Sequence, residues 1–251
     1  MEPKFVTSHP AVLVGDTLVI ADLHLGVEFE FYKSGIKIPS HTEGMRREIE
    51  ALIGRTKAKR LVILGDVKHK VPGVTRQELR EIPDFLYALG NKISVEVVQG
   101  NHDAGLKEFV PANVRLHPGI GFSAKECYFT HGHAWPPADF LGKKYVFIGH
   151  EHPQIEFRDP LGYRYTEPVW MRMEFDREKL KKKYRKLPAD LPELIVVPVF
   201  NKLSGGISIN MPVGKIDRYQ GLGPLFRSAK MQASKIYLLD GTLLGELKDL
   251  F

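Results

Sequence analysis

The chain has 251 residues, of which 43% are hydrophobic and 26% are charged, and its formal net charge is +6. These values are ordinary for a soluble globular protein, and we expect one α/β domain spanning residues 1–251. The single cysteine, Cys127, excludes a disulfide framework, and no apolar run reaches membrane-spanning length. The first ten residues lack the apolar segment of a signal peptide, so we predict a cytoplasmic protein without a membrane partner.

Five short apolar runs in the first 150 residues each end abruptly in a polar cluster. Runs of this length bounded by glycine are typical of buried strands. Polar residues just beyond the carboxyl ends of strands lie where open α/β sheets place their active sites. The predicted strands are Leu18–Ala21, Leu61–Leu64, Ile93–Val98, Cys127–Thr130 and Tyr145–Ile148.

Two helices are predicted between the first three strands. Apolar residues from Met45 to Ile53 recur at helical spacing before the second strand. Before the third strand, Thr75 and Glu78 form a possible capping box, and Pro83 predicts a kink or a restart of that helix.

The C-terminal part, residues 190–251, reads as strands that complete the fold. A stretch rich in Gly, Pro and basic residues, about 212–231, predicts a long surface loop between them. The predicted strands are Leu194–Phe200, Gly206–Asn210, Ile236–Asp240 and Thr242–Leu247.

The polar clusters carry side chains that can bind metal ions. In the first cluster, Asp22 and His24 are two residues apart, and on an extended segment both would point the same way. Each cluster alone is weak evidence, but seven carboxylate, amide or imidazole groups at five strand ends indicate a metal centre. The candidate ligands are Asp22, His24, Asp66, Asn101, His131, His150 and His152.

This ligand set is too large for one ion, so we predict two ions that share a bridging carboxylate. Mixed oxygen and nitrogen donors suit Mn²⁺ best in this context, with Fe or Zn²⁺ as alternatives, rather than Ca²⁺ or Mg²⁺. Two ions a few Å apart acidify a bridging water and bind the oxygens of a phosphoryl group during in-line attack. The sequence therefore predicts a phosphoester hydrolase that uses a metal-bridging hydroxide as nucleophile.

The order D-x-H, G-D, G-N-H-D, H-G-H and G-H-x-H, over roughly residues 20 to 153, resembles the calcineurin-like metallophosphoesterase superfamily. Within it, ADLHLG at 21–26, GDVKH at 65–69 and GHEHP at 149–153 resemble small archaeal phosphoesterases related to SbcD-type nucleases. They also resemble bacterial DNA-ligase-associated phosphoesterases. The resemblance implies a four-layer α-β-β-α sandwich of two mixed sheets, with the site at the carboxyl ends of the strands.

The same resemblance implies how the ligands divide between two ions. Asp22, His24 and His152 would bind the first ion. Asn101, His131 and His150 would bind the second, and Asp66 would bridge the two.

Three further residues receive catalytic roles from the resemblance. His102 would approach the phosphate and stabilise or protonate the leaving oxygen, and Asp103 would orient it or balance its charge. His69 matches the histidine that SbcD-type nucleases use at the phosphate. Lys68 is a departure, because those nucleases usually carry an aromatic or apolar residue there.

Other features leave alternatives open. His133 either supports a ligand or faces the substrate, whereas we expect structural or solvent-facing roles for His9, His41 and His117. The stretch from Asp176 to Lys186 supplies +5 of the net charge. It is either a solvated helix face or a patch that contacts phosphates.

A phosphodiester substrate is favoured over a monoester. The alternative is a nuclease acting on DNA or RNA ends, which the SbcD-like motifs and the basic stretch favour. Such a nuclease normally carries a DNA-binding capping domain, whereas fewer than a hundred residues follow residue 155 and most of them read as strands. A phosphomonoesterase and an inactive scaffold are further alternatives, but scaffold members of the superfamily typically lose ligand histidines that this chain retains.

Overall fold

A computed structural model describes residues 1–211 and 222–250 of the chain. Two mixed sheets carry most of the secondary structure, which confirms the predicted α/β fold with two mixed sheets. The strands are Lys4–Phe5 (β1), Val12–Val14 (β2), Thr17–Ile20 (β3), Arg60–Ile63 (β4), Ser94–Val98 (β5), Val114–His117 (β6), Phe122–Ala124 (β7), Cys127–Phe129 (β8), Tyr145–Ile148 (β9), Pro153–Arg158 (β10), Arg164–Glu174 (β11), Glu193–Val196 (β12), Ile207–Ser208 (β13), Lys235–Leu238 (β14) and Leu243–Glu246 (β15).

The helices are few, and two of them are long. The capping box is present, since Thr75 Oγ1 accepts from the Glu78 amide and the Glu78 carboxylate accepts from the Thr75 amide. The helix does not restart at Pro83, because one continuous helix includes this residue. Leu79, whose carbonyl loses its donor there, is half-exposed, which leaves that carbonyl accessible to water. The α-helices are Glu28–Lys33 (α1), Thr42–Thr56 (α2), Arg76–Gly90 (α3), Arg177–Lys181 (α4) and Pro224–Arg227 (α5).

The first sheet has the order β1-β2-β3-β4-β5-β6. Strands β1 to β3 form an antiparallel meander, whereas β3 to β6 are parallel. Parallel neighbours need crossover connections, which α2 provides between β3 and β4 and α3 between β4 and β5. The carboxyl ends of β3, β4, β5 and β6 therefore lie at one edge of this sheet.

The second sheet has the order β13-β10-β11-β12-β9-β8-β7, with β14 and β15 added beside β11. Strands β8, β9 and β12 are parallel, so β8 and β9 also end at a common edge. Strand β11 is antiparallel to both β12 and β10, and therefore β10 runs in the same direction as β9.

Side-chain alternation along the strands builds the layers. On β3, Leu18 and Ile20 pack in a cluster with residues of α2 and α3, whereas Val19 packs in a second cluster with Phe147 and Trp170 of the other sheet. A third cluster covers the outer face of the second sheet with Phe140, α4 and α5. Both faces of the central strands are thus buried, which explains their nearly continuous apolar sequences.

The predicted surface loop at 212–231 is wrong over its second half. Residues 212–221 lie outside the described part of the chain, but Pro224–Arg227 form a short helix whose Leu225 and Phe226 are fully buried. These two side chains pack in the third cluster beside Leu180. Leu225 and Phe226 lie among the glycines, prolines and basic residues whose abundance predicted a loop.

No helix within residues 1–211 or 222–250 is long and apolar enough to cross a membrane.

Candidate metal centre

The carboxyl ends of the two sheets meet at one edge. The Asp22 carboxylate, after β3, accepts from the His150 amide, after β9, at 3.0 and 3.2 Å. His131, after β8, reaches the carbonyl of Leu64, after β4, at 2.7 Å. Polar clusters that are far apart in the sequence are therefore neighbours, as the strand-end argument predicts.

Three clusters of possible ligand atoms form at this edge, each with its atoms within 4.8 Å of one another. Asn101 joins the second of them, because its Oδ1 lies 3.0 Å from His131 Nε2. All seven candidate ligands are thus brought together. The clusters are Asp22, His24 and His152; Asp66, His131 and His150; and His24, His69 and His102.

Asp66 lies between the first two clusters. Its Oδ2 is 3.7 Å from His24 Nε2, and its Oδ1 is 3.5 Å from His131 Nε2. The His102 amide donates to Oδ1 at 2.9 Å, which fixes the carboxylate. Two oxygens that face different clusters are the arrangement a bridging carboxylate requires.

Backbone carbonyls orient two of the imidazoles. His131 Nδ1 donates to Leu64 O at 2.7 Å, and His152 Nδ1 donates to Gly205 O at 3.0 Å. Each hydrogen bond fixes the tautomer and leaves Nε2 as the free nitrogen facing the centre. Metal-binding histidines almost always have such a partner on the other ring nitrogen, so the donor set fits divalent ions.

The backbone at the candidate ligands is unusual. Left-handed φ angles at non-glycine residues are uncommon, and each is held at a cost of about 1–3 kcal/mol. The extended geometry expected for Asp22 and His24 is therefore wrong, although their side chains do converge. Five of the seven candidates have positive φ: Asp22 (58°), His24 (41°), Asp66 (49°), His150 (71°) and His152 (43°).

Two motif glycines make room for carboxylates. A Cβ at Gly100 would overlap Asp66 Oδ1, and one at Gly149 would lie 2.7 Å from Asp22 Oδ2. The glycines of G-N-H-D and G-H-x-H are therefore required by close approach of the neighbouring loop.

Burial and charge set the protonation of the imidazoles. Burial lowers the pKa of His24 to about 3 and that of His150 to about 4, so both are neutral, as a ligand must be. Burial also opposes the charged form of His131, but the carboxylates of Asp66 and Asp22 outweigh it and raise the pKa of this imidazole to about 9.

His102 and His69 lie at the open side of the centre. His102 Nε2 is 4.0 Å from Asp66 Oδ2, and its Nδ1 donates to His69 O at 2.6 Å. The His69 ring lies against His24, with their Nδ1 atoms 3.3 Å apart. A cavity of about 440 Å³ opens here, lined by these three histidines, His152, Val27, Glu30, Phe31, Ser34 and residues 203–205.

Asp103 and Lys68 lie beneath this surface. The buried Asp103 carboxylate accepts from the amides of Gly100 (2.8 Å) and Lys68 (3.1 Å), so it joins the loops that follow β4 and β5. Burial raises its pKa to about 6. Lys68 is also buried, and its Nζ donates to the carbonyls of Lys70 and Gly73, so this residue points away from the cavity.

Of the remaining histidines, one lies beside the centre and three lie outside it. His133 is half-buried beside His131 and His150, with ring centroids 5.2 and 6.1 Å away, and its Nδ1 has no partner among the described residues. The other three lie outside the centre: His9 pairs with Glu48, His117 pairs with Glu96, and His41 is exposed at the start of α2.

Several supporting residues were missed by sequence reasoning. Glu78 was recognised only as a helix cap, yet its carboxylate also accepts from the amides of His69 (2.9 Å) and Lys70 (2.7 Å). Glu151 is buried, accepts from the Gly223 amide at 2.9 Å, and has its pKa raised to about 8 by burial. A carboxylate between two histidines of a motif was the available signal for Glu151.

The basic stretch forms α4 and the turn after it. Lys179 Nζ donates to the carbonyls of Arg227 and Ala229, and Lys181 pairs with Glu178 at 2.7 Å. Lys183 lies 5.9 Å from the centroid of Trp135, which follows the H-G-H motif. Three of the lysines in the basic stretch therefore have partners within the protein: backbone carbonyls, a carboxylate and an aromatic ring.

A two-sheet sandwich that gathers imidazoles and carboxylates at its carboxyl edge defines a class of metal-dependent hydrolases. The family model described as calcineurin-like phosphoesterase matches residues 16–205, so the chain belongs to this family and is a phosphoester-hydrolysing enzyme.

One solved structure supports the fold. In the crystal structure of Pseudomonas putida nuclease MPE, the protein is 19% identical in sequence to this chain. The alignment covers 95% of this chain and 98% of the nuclease, with a TM-score of 0.55. A second solved structure, that of YfcE, a phosphoesterase from E. coli, is 15% identical over 92% of this chain and 97% of its own, with a TM-score of 0.40. No curated protein sequence matches the chain.

Proposed function

We propose that this enzyme is a phosphodiesterase whose seven candidate ligands hold two divalent metal ions. We expect these ions to be Mn²⁺, with Fe or Zn²⁺ as alternatives. Asp22, His24 and His152 would bind one ion, Asn101, His131 and His150 the other, with Asp66 shared. The observation that carries the proposal is the position of Asp66, whose two oxygens face different clusters. The single-domain organisation and the cytoplasmic location remain predictions.

The bound ions would supply a water of lowered pKa and positive charge for the phosphoryl oxygens. The protein's own groups contribute orientation and proton transfer. His102 presents Nε2 on the cavity side, where a protonated imidazole can donate to the leaving oxygen. His69, beside it, contacts the phosphate, and Asp103 keeps the two loops in register through the amides of Gly100 and Lys68.

The cavity favours a diester over a monoester. Among the described residues that line it, Val27, Phe31 and Leu203 are apolar and none is lysine or arginine. Beyond the bound ions and the histidines, the described part of this wall offers no cationic group to the second charge of a monoester. A diester carries one charge and a second organic substituent, which an apolar wall can contact.

The test is a substrate comparison on protein loaded with Mn²⁺. Bis(4-nitrophenyl) phosphate, 4-nitrophenyl phosphate, cyclic nucleotides and single- and double-stranded DNA and RNA are compared by kcat/KM. We expect the diesters to exceed the monoester, and Asp66→Ala to abolish both activities. A monoester preferred over every diester would overturn the proposal.

A nuclease is the second candidate. The neighbouring Pseudomonas putida structure is named a nuclease, but at this identity the likeness extends to the fold alone. The specific observation that favours a nucleic-acid substrate is a pair of lysines, Lys33 and Lys70, whose ammonium groups lie beside Glu30 at the rim of the cavity.

A further inference from the structure

Helix α1 turns one face towards the metal centre. Val27, Glu30, Phe31 and Ser34 all line the cavity, and their spacing of three, four and seven residues places them on one side of a helix. One part of the cavity wall is thus a helical surface, beside the histidines and residues 203–205. It carries one carboxylate, one aromatic ring and one hydroxyl.

Two ammonium groups converge on the carboxylate of this wall. Lys33 Nζ donates to both oxygens of Glu30, at 2.8 and 2.9 Å, and Lys70 Nζ is 4.0 Å from Oε1. Both ammoniums also lie over the ring of Phe29, 5.2 and 5.9 Å from its centroid. Two positive charges against one negative leave this rim cluster, Glu30, Lys33 and Lys70, with a net charge of +1.

The position of Lys70 is fixed by its backbone. Its amide donates to Glu78 at 2.7 Å, and its carbonyl accepts from the buried Lys68 ammonium. Since Lys70 follows His69 directly, the same anchors fix both residues relative to the centre. A phosphate bound at the rim would meet a partly preorganised cation, which lowers the ordering cost of binding.

We infer that the rim cluster binds the phosphate next to the scissile one, so that the substrate is an oligonucleotide rather than a small diester. This inference rests on the proposed phosphodiesterase function. The flanking phosphate would contact the ammonium groups of Lys33 and Lys70 on the side away from the Glu30 carboxylate, and a base of the same strand would stack on Phe31. Oligonucleotides carry a second phosphate one nucleotide away from the first, whereas small aryl diesters carry none.

The test compares substrates that differ in the flanking phosphate. A dinucleoside monophosphate has only the scissile phosphate, whereas a trinucleotide has one more. We expect the wild type to favour the trinucleotide by roughly tenfold in kcat/KM, and the double variant Lys33→Gln, Lys70→Gln to lose that preference. Turnover of bis(4-nitrophenyl) phosphate should change by less than about twofold, since it does not reach the rim.

A matched control is the double variant Lys92→Gln, Lys125→Gln. These lysines are also paired with carboxylates at the surface, but they lie near the amino ends of β5 and β8, away from the metal centre. The control should keep the trinucleotide preference. A wild type without that preference, or equal losses on both substrates in the rim variant, would overturn the inference. If no diester at all is hydrolysed, the proposed function itself fails.

Discussion

His102 Nδ1 and the carbonyl oxygen of His69 are 2.6 Å apart, and the hydrogen bond between them fixes the imidazole tautomer. The other nitrogen, Nε2, therefore faces the cavity. The His69 backbone is in turn fixed by Glu78, whose Oε1 accepts from the His69 amide at 2.9 Å. The orientation of His102 thus depends on a buried carboxylate that cannot reach the substrate.

Glu78→Gln tests this dependence. Glutamine replaces a charged acceptor by a neutral one and offers one acceptor oxygen instead of two. The hydrogen bonds that Oε1 accepts from His69 and Lys70 therefore weaken, and the Thr75 amide, which donates to Oε2, loses its partner at a cost of about 1–3 kcal/mol. We expect kcat for a small diester to fall about tenfold with KM and metal content little changed, and the pH profile of kcat to shift.

The control for that variant is Glu81→Gln on the same helix, whose carboxylate accepts from Ser40 and Thr42 instead. It should leave kcat and the pH profile as in the wild type. If Glu78→Gln lowers the melting temperature but leaves the pH profile of kcat unchanged, Glu78 stabilises the fold and does not position His102.

His102→Ala separates catalysis from metal binding. The variant should keep both ions and lose about 10²-fold or more in kcat, the range for a lost general acid or charge stabiliser. Asp66→Ala should lose metal and activity together. Metal content is measured by elemental analysis after gel filtration. If His102→Ala also loses stoichiometric metal, His102 is a ligand.

Much of the fold and centre was predictable because strand ends carry compact motifs. Parallel strands of one sheet bring their carboxyl ends to one edge, so the clusters at Asp22 and Asp66 had to meet once the strands were recognised. His131 follows a strand of the second sheet, and its place beside them was an expectation from the family resemblance. The left-handed backbone at Asp22 was not predictable, since its local sequence gives no sign of the hydrogen bond to the distant His150 amide that the Asp22 carboxylate makes in this conformation. The second role of Glu78 was not predictable either, because a helix-cap pattern says nothing of its bonds to the amides of His69 and Lys70 in the preceding loop.

Divalent metal should stabilise the protein through the folded state. Ligand present at 100 times its Kd adds about 2.7 kcal/mol, which corresponds to about 5–10 °C in Tm for a chain of this size. Calorimetry with and without Mn²⁺ measures the shift, and a chelator should reverse it. In Asp66→Ala the shift should disappear; an equal shift there would locate the ions elsewhere.

Leu225→Ala tests the packing of the segment that sequence reasoning placed on the surface. Leu225 is fully buried in the cluster that covers the second sheet, so its truncation should cost about 2–5 kcal/mol of the free energy of unfolding. Leu161→Ala is the control, because Leu161 is 94% exposed and should change stability by less than about 0.5 kcal/mol. Similar stabilities of the two variants in chemical denaturation would contradict the buried position.

We expect the basic stretch and the rim cluster to differ in their effect on the salt dependence of oligonucleotide binding. Binding to single strands weakens with salt by about 0.7 in log–log slope for each phosphate contact. Lys181 is paired with Glu178 and Lys183 with the Trp135 ring, so we interpret the stretch as a packed and solvated face.

Replacing Lys181, Lys182, Lys183 and Arg185 with Ser should therefore leave the slope near that of the wild type, whereas Lys33→Gln with Lys70→Gln should flatten it. Fluorescence anisotropy of a labelled oligonucleotide at several salt concentrations gives both slopes. If the serine variant is the one that flattens, the polynucleotide follows α4 past Trp135 rather than α1 past His69, and the rim loses its role in substrate binding.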